Sequence, residues 1–263
     1  MEAPRRTFWE PPSRSVAAYT ADMSLLLTSD GVLDGPAHEA LLTLLARPIG
    51  ASRAVVVLDA MLAFPGDKGS MLDHVQRFRA LGWAECDVLT LSGGPASTIE
   101  ARLRAADVIF CYGGTNHWLA ESWRRSGLAP VLRELVDEKV YVGMSAGSMI
   151  FSTLHAAAVE ALDDHEEVEM LELESVAPAL PLFDWFFFAH LGADYFAETT
   201  DEWAQQTATR LGGEAWFLSD GSALMLRDVD AVPEVISNGH WLHFDSAGCW
   251  SDPTRASCPA RAR

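Results

Sequence analysis

Short apolar runs that alternate with helical patterns constrain the fold of this chain more than any other feature of its sequence. Five runs are typical of buried strands, at residues 24–29, 53–59, 86–91, 107–112 and 139–144. Helical periodicity predicts helices at residues 36–46, 70–81, 98–106, 118–126 and 130–138. Because strands that alternate with helices build βαβ units, we predict an α/β fold with a mainly parallel sheet flanked by helices on both faces.

The second half of the chain is less regular and predicts a short β-hairpin C-terminal portion. Asp220-Gly221 separates two apolar runs, residues 215–219 and 222–227, in the manner of a hairpin turn. Residues 234–244 suggest a second hairpin. Without an internal repeat or a linker, we predict a single domain over residues 23–248. An N-terminal arm over 1–22 and a C-terminal tail over 249–263 flank it.

Composition narrows the class of protein. The 263 residues carry a formal net charge of -18, which disfavours nucleic acid and anionic membranes as partners. Neither a signal peptide nor a run of eighteen apolar residues is present, so we expect a cytoplasmic protein without a membrane span. Four cysteines without C-x-x-C spacing are expected to be reduced thiols: Cys86, Cys111, Cys249 and Cys258. The nine tryptophans suit either the core or the face of a homodimer.

The strongest chemical signal is a serine between two glycines at a predicted strand-to-helix turn. The strand over 139–144 runs into Gly143-Met-Ser145-Ala-Gly147, and a helical pattern follows. A nucleophile elbow requires this context, because the serine adopts a strained conformation and its neighbours two residues away must be very small. Ser145 is therefore the candidate nucleophile. A tight turn in which Gly and Ser only bend the chain is the simpler alternative.

A second glycine pair follows the preceding predicted strand. Gly113-Gly114-Thr-Asn116 lies where that strand ends, and the carboxyl ends of parallel strands share one edge of a sheet. Glycines allow the backbone to approach a ligand closely. The N–H groups of Gly114 and Ala146 could then form an oxyanion hole. A plain turn is the alternative.

These two motifs, in this order and thirty residues apart, resemble the peptidase E family of serine peptidases, which contains aspartyl dipeptidase. The matching segments are Gly113-Gly-Thr-Asn116, Gly143-Met-Ser-Ala-Gly147, Phe188-Ala-His190 and Leu218-Ser-Asp220-Gly-Ser. The resemblance implies a class I glutamine amidotransferase-like fold and hydrolysis of short peptides without a cofactor. It also implies a triad of Ser145 as nucleophile, His190 as general base and Asp220 as orienting carboxylate. Asp194 is the other candidate acid.

Two departures from the family pattern concern the substrate. The glycine loop has Thr-Asn116 where the family usually has Asn-Thr. An acidic run over 163–169 replaces the Arg-Thr-Thr-Asn-Asp-like segment of aspartyl dipeptidases. We therefore treat Asn116 and Asp164 as candidate substrate-binding residues and do not predict specificity for N-terminal aspartate.

Other functions stay open at this point. A lipase-like α/β-hydrolase would use Ser145, an acid at Asp220 or Asp228, and a late His240 or His243, although little chain follows the serine for such a fold. A catalytically inactive binding module on the same fold is another alternative. A metal site is disfavoured because no H-E-x-x-H spacing is present among the following residues: His155, His165, Glu166, Glu167 and Glu169. His117, Trp118 and Trp123 could line a pocket, but tryptophans at helical spacing more often belong to the core.

Overall fold

A computed structural model describes residues 23–246 and the backbone of residues 250–251. The strands are β1 (Ser24–Thr28), β2 (Arg53–Val57), β3 (Glu85–Leu89), β4 (Val108–Cys111), β5 (Val140–Met144), β6 (Trp185–Phe188), β7 (Glu214–Leu218), β8 (Ala223–Leu226), β9 (Glu234–Ile236), β10 (Trp241–Phe244) and β11 (Trp250–Ser251). The helices are α1 (Gly35–Leu44), α2 (Asp59–Leu62), α3 (Gly69–Arg79), α4 (Ala96–Ala105), α5 (Asn116–Arg125), α6 (Ala129–Glu138), α7 (Ala157–Leu162), α8 (His165–Met170) and α9 (Asp201–Leu211). The predicted arm, Cys249 and Cys258 lie outside the described residues. Two residues of the predicted tail form β11.

A seven-stranded sheet with the order β3-β2-β4-β5-β1-β8-β9 forms the centre of the fold. Its first five strands are parallel, whereas β8 is antiparallel to both β1 and β9. The prediction of a mainly parallel sheet is confirmed. The five helices predicted in the first half are also present, with ends that differ from the predicted ends by no more than two residues.

Alternating side chains of the central strands build a separate core on each face of this sheet. On β1, Leu25 and Leu27 face one core, and Leu26 faces the other. Helices α4, α5 and α6 cover the first core through residues such as Leu132, while α1 and α3 cover the second through residues such as Phe78. The strands read as nearly continuous apolar runs because both faces are buried. The prediction of helices on both faces is therefore confirmed.

The C-terminal portion contains a β-hairpin, as predicted, but the strand pairs predicted for the two hairpins are wrong. The strands on either side of Asp220-Gly221 do not pair with each other, because β7 joins a second sheet of order β11-β10-β7-β6 and β8 joins the large sheet. Leu226 of β8 instead pairs with Leu25 at the edge of β1. The described residues contain a hairpin of β8 and β9, while β10 pairs with β7. The sequence of a turn is a local signal, whereas the partner of each strand depends on apolar surface contributed by distant parts of the chain.

The small sheet brings two loops together. Strands β6 and β7 are parallel neighbours, with Phe188 beside Phe217 near their carboxyl ends. The stacked rings of these two residues have centroids 4.4 Å apart and are fully buried. The residues that follow the two strands, His190 and Asp220, consequently lie side by side. Within the part of the chain that the structure describes, no helix has both the length and the apolarity to cross a lipid bilayer.

Candidate active site

Ser145 lies directly after β5, at the carboxyl edge of the parallel strands, and begins a single 3-10 turn over Ser145–Ser148. Its φ is +49°, in the left-handed region that a residue with a Cβ rarely adopts. The sequence context predicted such a strained serine. The prediction of a helix directly after Ser145 is wrong, because the next helix, α7, begins only at Ala157. A helix dipole therefore does not contribute at this position.

The glycines two residues before and after Ser145 are required by close backbone packing. A Cβ on Gly143 would lie 2.6 Å from backbone atoms of Gly147 and Ser148. A Cβ on Gly147 would lie 2.1 Å from the carbonyl oxygen of Cys111 at the end of β4. Real Cβ atoms do not approach backbone this closely, so neither position accepts a side chain without movement of a strand.

Replacement of Gly147 by alanine is expected to lower the free energy of unfolding by about 3 kcal/mol, because the new methyl group overlaps the backbone of β4. Urea unfolding followed by circular dichroism measures this effect. Gly50→Ala is the matched control, since a Cβ there meets its nearest neighbour at an ordinary 3.6 Å. Equal stabilities of the two variants would contradict the steric explanation.

Three hydrogen bonds hold the turn around Ser145. The Tyr141 hydroxyl donates to the Gly147 carbonyl at 2.7 Å. Thr28 Oγ1 donates to the Gly143 carbonyl at 2.6 Å, and Ser148 Oγ donates to the Thr28 carbonyl at 2.9 Å. All the participating side chains are buried. The strained conformation of the serine is thus stabilised by β1 and β5 together.

The loop after β4 packs against this turn. A Cβ placed on Gly113 would lie 3.3 Å from the Cβ of Ser145. Gly114 has a φ of +130°, and a Cβ there would lie 2.4 Å from the Ala60 carbonyl oxygen, so glycine is required on both counts. Gly114 is exposed, whereas Ala146 is buried directly behind the serine. Their role as an oxyanion hole stays a prediction.

His190 and Asp220 form a hydrogen-bonded pair at the ends of β6 and β7. His190 Nδ1 lies 2.8 Å from Asp220 Oδ1. A carboxylate only accepts hydrogen bonds, so Nδ1 carries a proton; in the neutral ring the lone pair then lies on Nε2, on the opposite side. His190 also has a positive φ, +63°. The structure thus brings His190 and Asp220 together, and their roles as base and orienting acid stay a prediction.

Two residues that the sequence analysis missed hold this pair in place. Ser29, buried just beyond β1, donates from its hydroxyl to Asp220 Oδ1 and accepts from the His190 backbone N–H, both at 2.8 Å. The Tyr195 hydroxyl donates to Asp220 Oδ2. The position of Ser29 at the carboxyl end of a predicted central strand was a usable signal. Tyr195 had none beyond its closeness to His190 in the sequence.

Asp220 is expected to stabilise the fold only while its carboxyl is ionised. Burial acts to raise the pKa of Asp220, but hydrogen bonds from His190, Tyr195 and Ser29 outweigh burial and hold it below the ordinary value of 3.8. The stabilisation is therefore present above pH 3.8 and is lost as the pH falls through the lowered pKa. The free energy of unfolding of the unmodified protein, minus that of Asp220→Asn, should decrease between about pH 5 and about pH 3 in urea titrations. A difference that grows toward acid would contradict this assignment.

Ser145 and His190 line one cavity of about 320 Å³. Its lining residues are Gly114, Asn116, Ser145, Met149, Leu162, Asp164, Glu167, Phe188, Ala189, His190, Phe196, Glu198, Thr199 and Trp203. The structure thus brings the candidate nucleophile, the candidate base, one oxyanion-hole candidate and both candidate substrate-binding residues to the same space. Glu198, which also lines it, was missed because it lies outside any motif.

The residues of the lipase-like alternative lie elsewhere. His240 Nε2 bonds Asp201 at 2.8 Å, and His243 Nε2 bonds Glu214 at 2.9 Å. Neither histidine lines the cavity of Ser145. Asp228 is exposed and its carboxylate accepts from a nearby backbone N–H. Asp194, the other candidate acid for the triad, is also exposed, and His190 bonds Asp220 instead.

The tryptophans and histidines considered for a pocket or a metal site have structural roles. Trp123 is fully buried in the core, and Trp118 lies beneath the guanidinium of Arg125. His117 is buried behind the cavity. Among the described residues, no group of three or more His, Cys, Asp or Glu side chains is arranged to hold a metal ion. His165, for instance, is exposed and bonds a glutamate of α7.

Comparisons with known proteins bear on the family and the fold of this chain. The model of peptidase family S51 matches residues 25–232. Uncharacterized peptidases from Listeria monocytogenes and Listeria innocua are each 28% identical over 156 residues, covering 58% and 59% of this chain and 71% and 70% of theirs.

Two solved structures share the fold. A peptidase E protein from Listeria monocytogenes has a TM-score of 0.65 at 21% identity, with 82% of this chain and 99% of that one covered. A peptidase from an acI-B1 Actinobacterium has a TM-score of 0.61 at 15% identity, with 86% and 92% covered. The chain belongs to peptidase family S51, the peptidase E family of serine peptidases.

Proposed function

We propose that this serine peptidase hydrolyses short peptides through a Ser145–His190–Asp220 triad and an acyl-enzyme. One observation carries the proposal: the imidazole that bonds Asp220 through Nδ1 lines the same cavity as a serine held in a strained turn. A serine hydroxyl is a poor nucleophile until a base accepts its proton, and the base needs a partner that fixes its tautomer. The three side chains supply these functions.

The first half of the reaction forms the acyl-enzyme. His190 Nε2 accepts the proton of Ser145 Oγ while the oxygen attacks the peptide carbonyl carbon. Negative charge develops on the carbonyl oxygen, next to the backbone of Gly114 and Ala146, whose N–H groups would donate to it. When the tetrahedral intermediate collapses, the C–N bond breaks and the protonated imidazole gives its proton to the leaving amine.

The second half releases the product. Water attacks the ester carbonyl while His190 accepts a proton from it, and Ser145 leaves as a hydroxyl with that proton returned. Asp220 keeps Nδ1 protonated and stabilises the imidazolium in both halves. Ser29 and Tyr195 are positioning residues, since they bond the carboxylate of Asp220 and contact no reacting atom.

The size of the cavity supports a short substrate. Its volume of about 320 Å³ lies at the lower end of the range of small-molecule pockets. Such a space holds a residue or two of a peptide.

Hydrolysis of a defined mixture of dipeptides and tripeptides tests the proposal. The purified protein is incubated with the mixture, and liquid chromatography with mass spectrometry follows the loss of each peptide. We expect at least one peptide to be cleaved by the unmodified protein and spared by folded Ser145→Ala. Cleavage at equal rates by both proteins, or survival of every peptide, would contradict the proposed function.

A further inference from the structure

The lining of the cavity includes three carboxylates. Asp164, Glu167 and Glu198 line it, and none of the lining residues is a lysine or an arginine. Burial raises the pKa of Glu167; the Thr115 hydroxyl that bonds its carboxylate lowers it, and the negative charge of Asp164 raises it again. The two carboxylates of the α8 region therefore interact with each other. We call these three residues the acidic wall.

Asp164 is held by the buried His117, which a second buried histidine, His155, orients in turn. His155 Nδ1 lies 3.2 Å from the Met149 carbonyl and must donate to it, so its Nε2 accepts from His117 Nδ1 at 3.3 Å. His117 Nε2 lies 3.2 Å from Asp164 Oδ2. If both nitrogens of His117 carry a proton, its single positive charge lies beside the three carboxylates of the acidic wall. The net charge of this group stays negative, and the position of Asp164 is fixed.

A second observation points independently to a ligand in this cavity. Asn116 lines it, is only 5% exposed, and its side-chain nitrogen has no hydrogen-bond partner within the part of the chain that the structure describes. A buried amide donor without a partner is costly, because buried polar groups in native proteins normally bond another protein group or an ordered water. A substrate carbonyl oxygen is an acceptor of the right kind.

The rest of the lining suits the methylene groups of a long cationic side chain. Leu162 and Trp203 contribute apolar surface to the same cavity. An ammonium or guanidinium group gains further stabilisation beside an aromatic face. A long cationic side chain could thus place its methylene groups on apolar surface and its charge on the acidic wall.

We propose that the cavity selects peptides in which the residue carrying the attacked carbonyl bears a positive charge, bound by Asp164, Glu167 and Glu198. This inference rests on the proposed function and names its substrate class. An acidic residue at the same place would face three carboxylates, so aspartyl peptides are disfavoured. The charge can come from the α-ammonium group or from a lysine or arginine side chain, and the experiment separates these sources.

Binding to Ser145→Ala protein, measured by isothermal titration calorimetry, tests the inference without requiring catalysis. The probes share a carboxyl-terminal leucine: Lys-Leu, norleucyl-Leu, N-acetyl-Lys-Leu, N-acetylnorleucyl-Leu and Asp-Leu. We expect Lys-Leu to bind at least about tenfold more tightly than N-acetylnorleucyl-Leu, the scale of one charged hydrogen bond, and Asp-Leu to bind more weakly than norleucyl-Leu. Norleucyl-Leu retains only the α-ammonium group and N-acetyl-Lys-Leu only the side-chain charge, so the tighter of the two identifies the source.

Variants then assign the preference to the acidic wall. Glu167→Gln keeps an oxygen that can accept from Thr115 but removes the charge, and Asp164→Asn does the same beside His117. Each should reduce the preference for Lys-Leu over N-acetylnorleucyl-Leu by several fold. Glu166→Gln is the matched control, because Glu166 is exposed on the same helix and does not line the cavity.

The outcomes separate this inference from the proposed function. Equal affinities for Lys-Leu and N-acetylnorleucyl-Leu, or tighter binding of Asp-Leu, would overturn the charge preference even if peptides are hydrolysed. Charge-selective binding by Ser145→Ala would support the inference even if the unmodified protein cleaves no peptide, an outcome that counts against the proposed function alone. A preference that persists unchanged in both acidic-wall variants would also overturn it.

Discussion

Replacement of Ser145 by alanine is expected to lower kcat for peptide hydrolysis by about 10⁶-fold, the scale seen when a serine peptidase loses its nucleophile. The reason is that no other hydroxyl in the turn can take its place. Ser148, three residues further along the turn, is buried and donates its hydroxyl to the Thr28 carbonyl. The measurement is kcat and KM for a peptide cleaved by the unmodified protein.

Ser148→Ala is the matched control for this prediction. It removes a hydroxyl from the same turn and one hydrogen bond that holds it, so we expect a loss of kcat within about tenfold and a small loss of stability. If Ser145→Ala and Ser148→Ala were equally active and both folded, Ser145 could not be the nucleophile.

Replacement of His190 by alanine is expected to cost about as much, on the order of 10⁶-fold in kcat, because Ser145 then lacks a base and Asp220 loses the imidazole that it orients. His240→Ala and His243→Ala should stay within a few fold of the unmodified protein, since both histidines bond carboxylates away from the cavity. The three variants are compared with the same peptide.

The comparison of these histidines also decides between the two orders of catalytic residues along the chain: serine, histidine, acid in the peptidase E arrangement, and serine, acid, histidine in the lipase-like alternative. A large loss in His240→Ala or His243→Ala with a mild effect of His190→Ala would contradict the peptidase E arrangement and restore the lipase-like alternative. Circular dichroism of each variant separates a chemical defect from unfolding. His243 in particular stacks on Trp216, with ring centroids 3.8 Å apart, so its removal affects packing.

The first half of the fold could be predicted because its signals are local. Buried parallel strands are apolar on both faces, so five runs of the sequence identify β1 to β5 without knowledge of their partners. The second half could not be predicted in the same way. The turn at Asp220-Gly221 looks like that of a hairpin, but Leu226 pairs with Leu25, about two hundred residues earlier in the chain. Pairing at that distance leaves no mark on either segment.

The same distinction applies to the site. Ser145 is flanked by two glycines at positions where the Cβ of any other residue would collide with nearby backbone, so a local steric requirement reveals it. His190 carries no such mark, and only the resemblance to a family selected it from the eight histidines. Ser29 acts through a contact with Asp220 that exists only after the two sheets have come together, and Tyr195 through one that exists only after β6 and β7 have paired. A single sequence does not report such contacts.

The arrangement of the two sheets explains why the site needs the whole fold. The large sheet supplies Ser145 and the glycine loop at the carboxyl ends of neighbouring strands, and the small sheet supplies His190 and Asp220 at the ends of two more. Ser29 follows β1 of the large sheet and bonds both residues of the small one. A displacement of either sheet would therefore separate nucleophile from base.

Labelling with a fluorophosphonate, weighed by intact mass spectrometry, tests most directly whether Ser145 is a nucleophile activated by His190. The reagent reacts with an activated serine hydroxyl and releases fluoride. We predict a single adduct on the unmodified protein and on His240→Ala, and no adduct on Ser145→Ala or His190→Ala. An adduct that persists in Ser145→Ala, or labelling that depends on His240 in place of His190, would contradict the proposed triad.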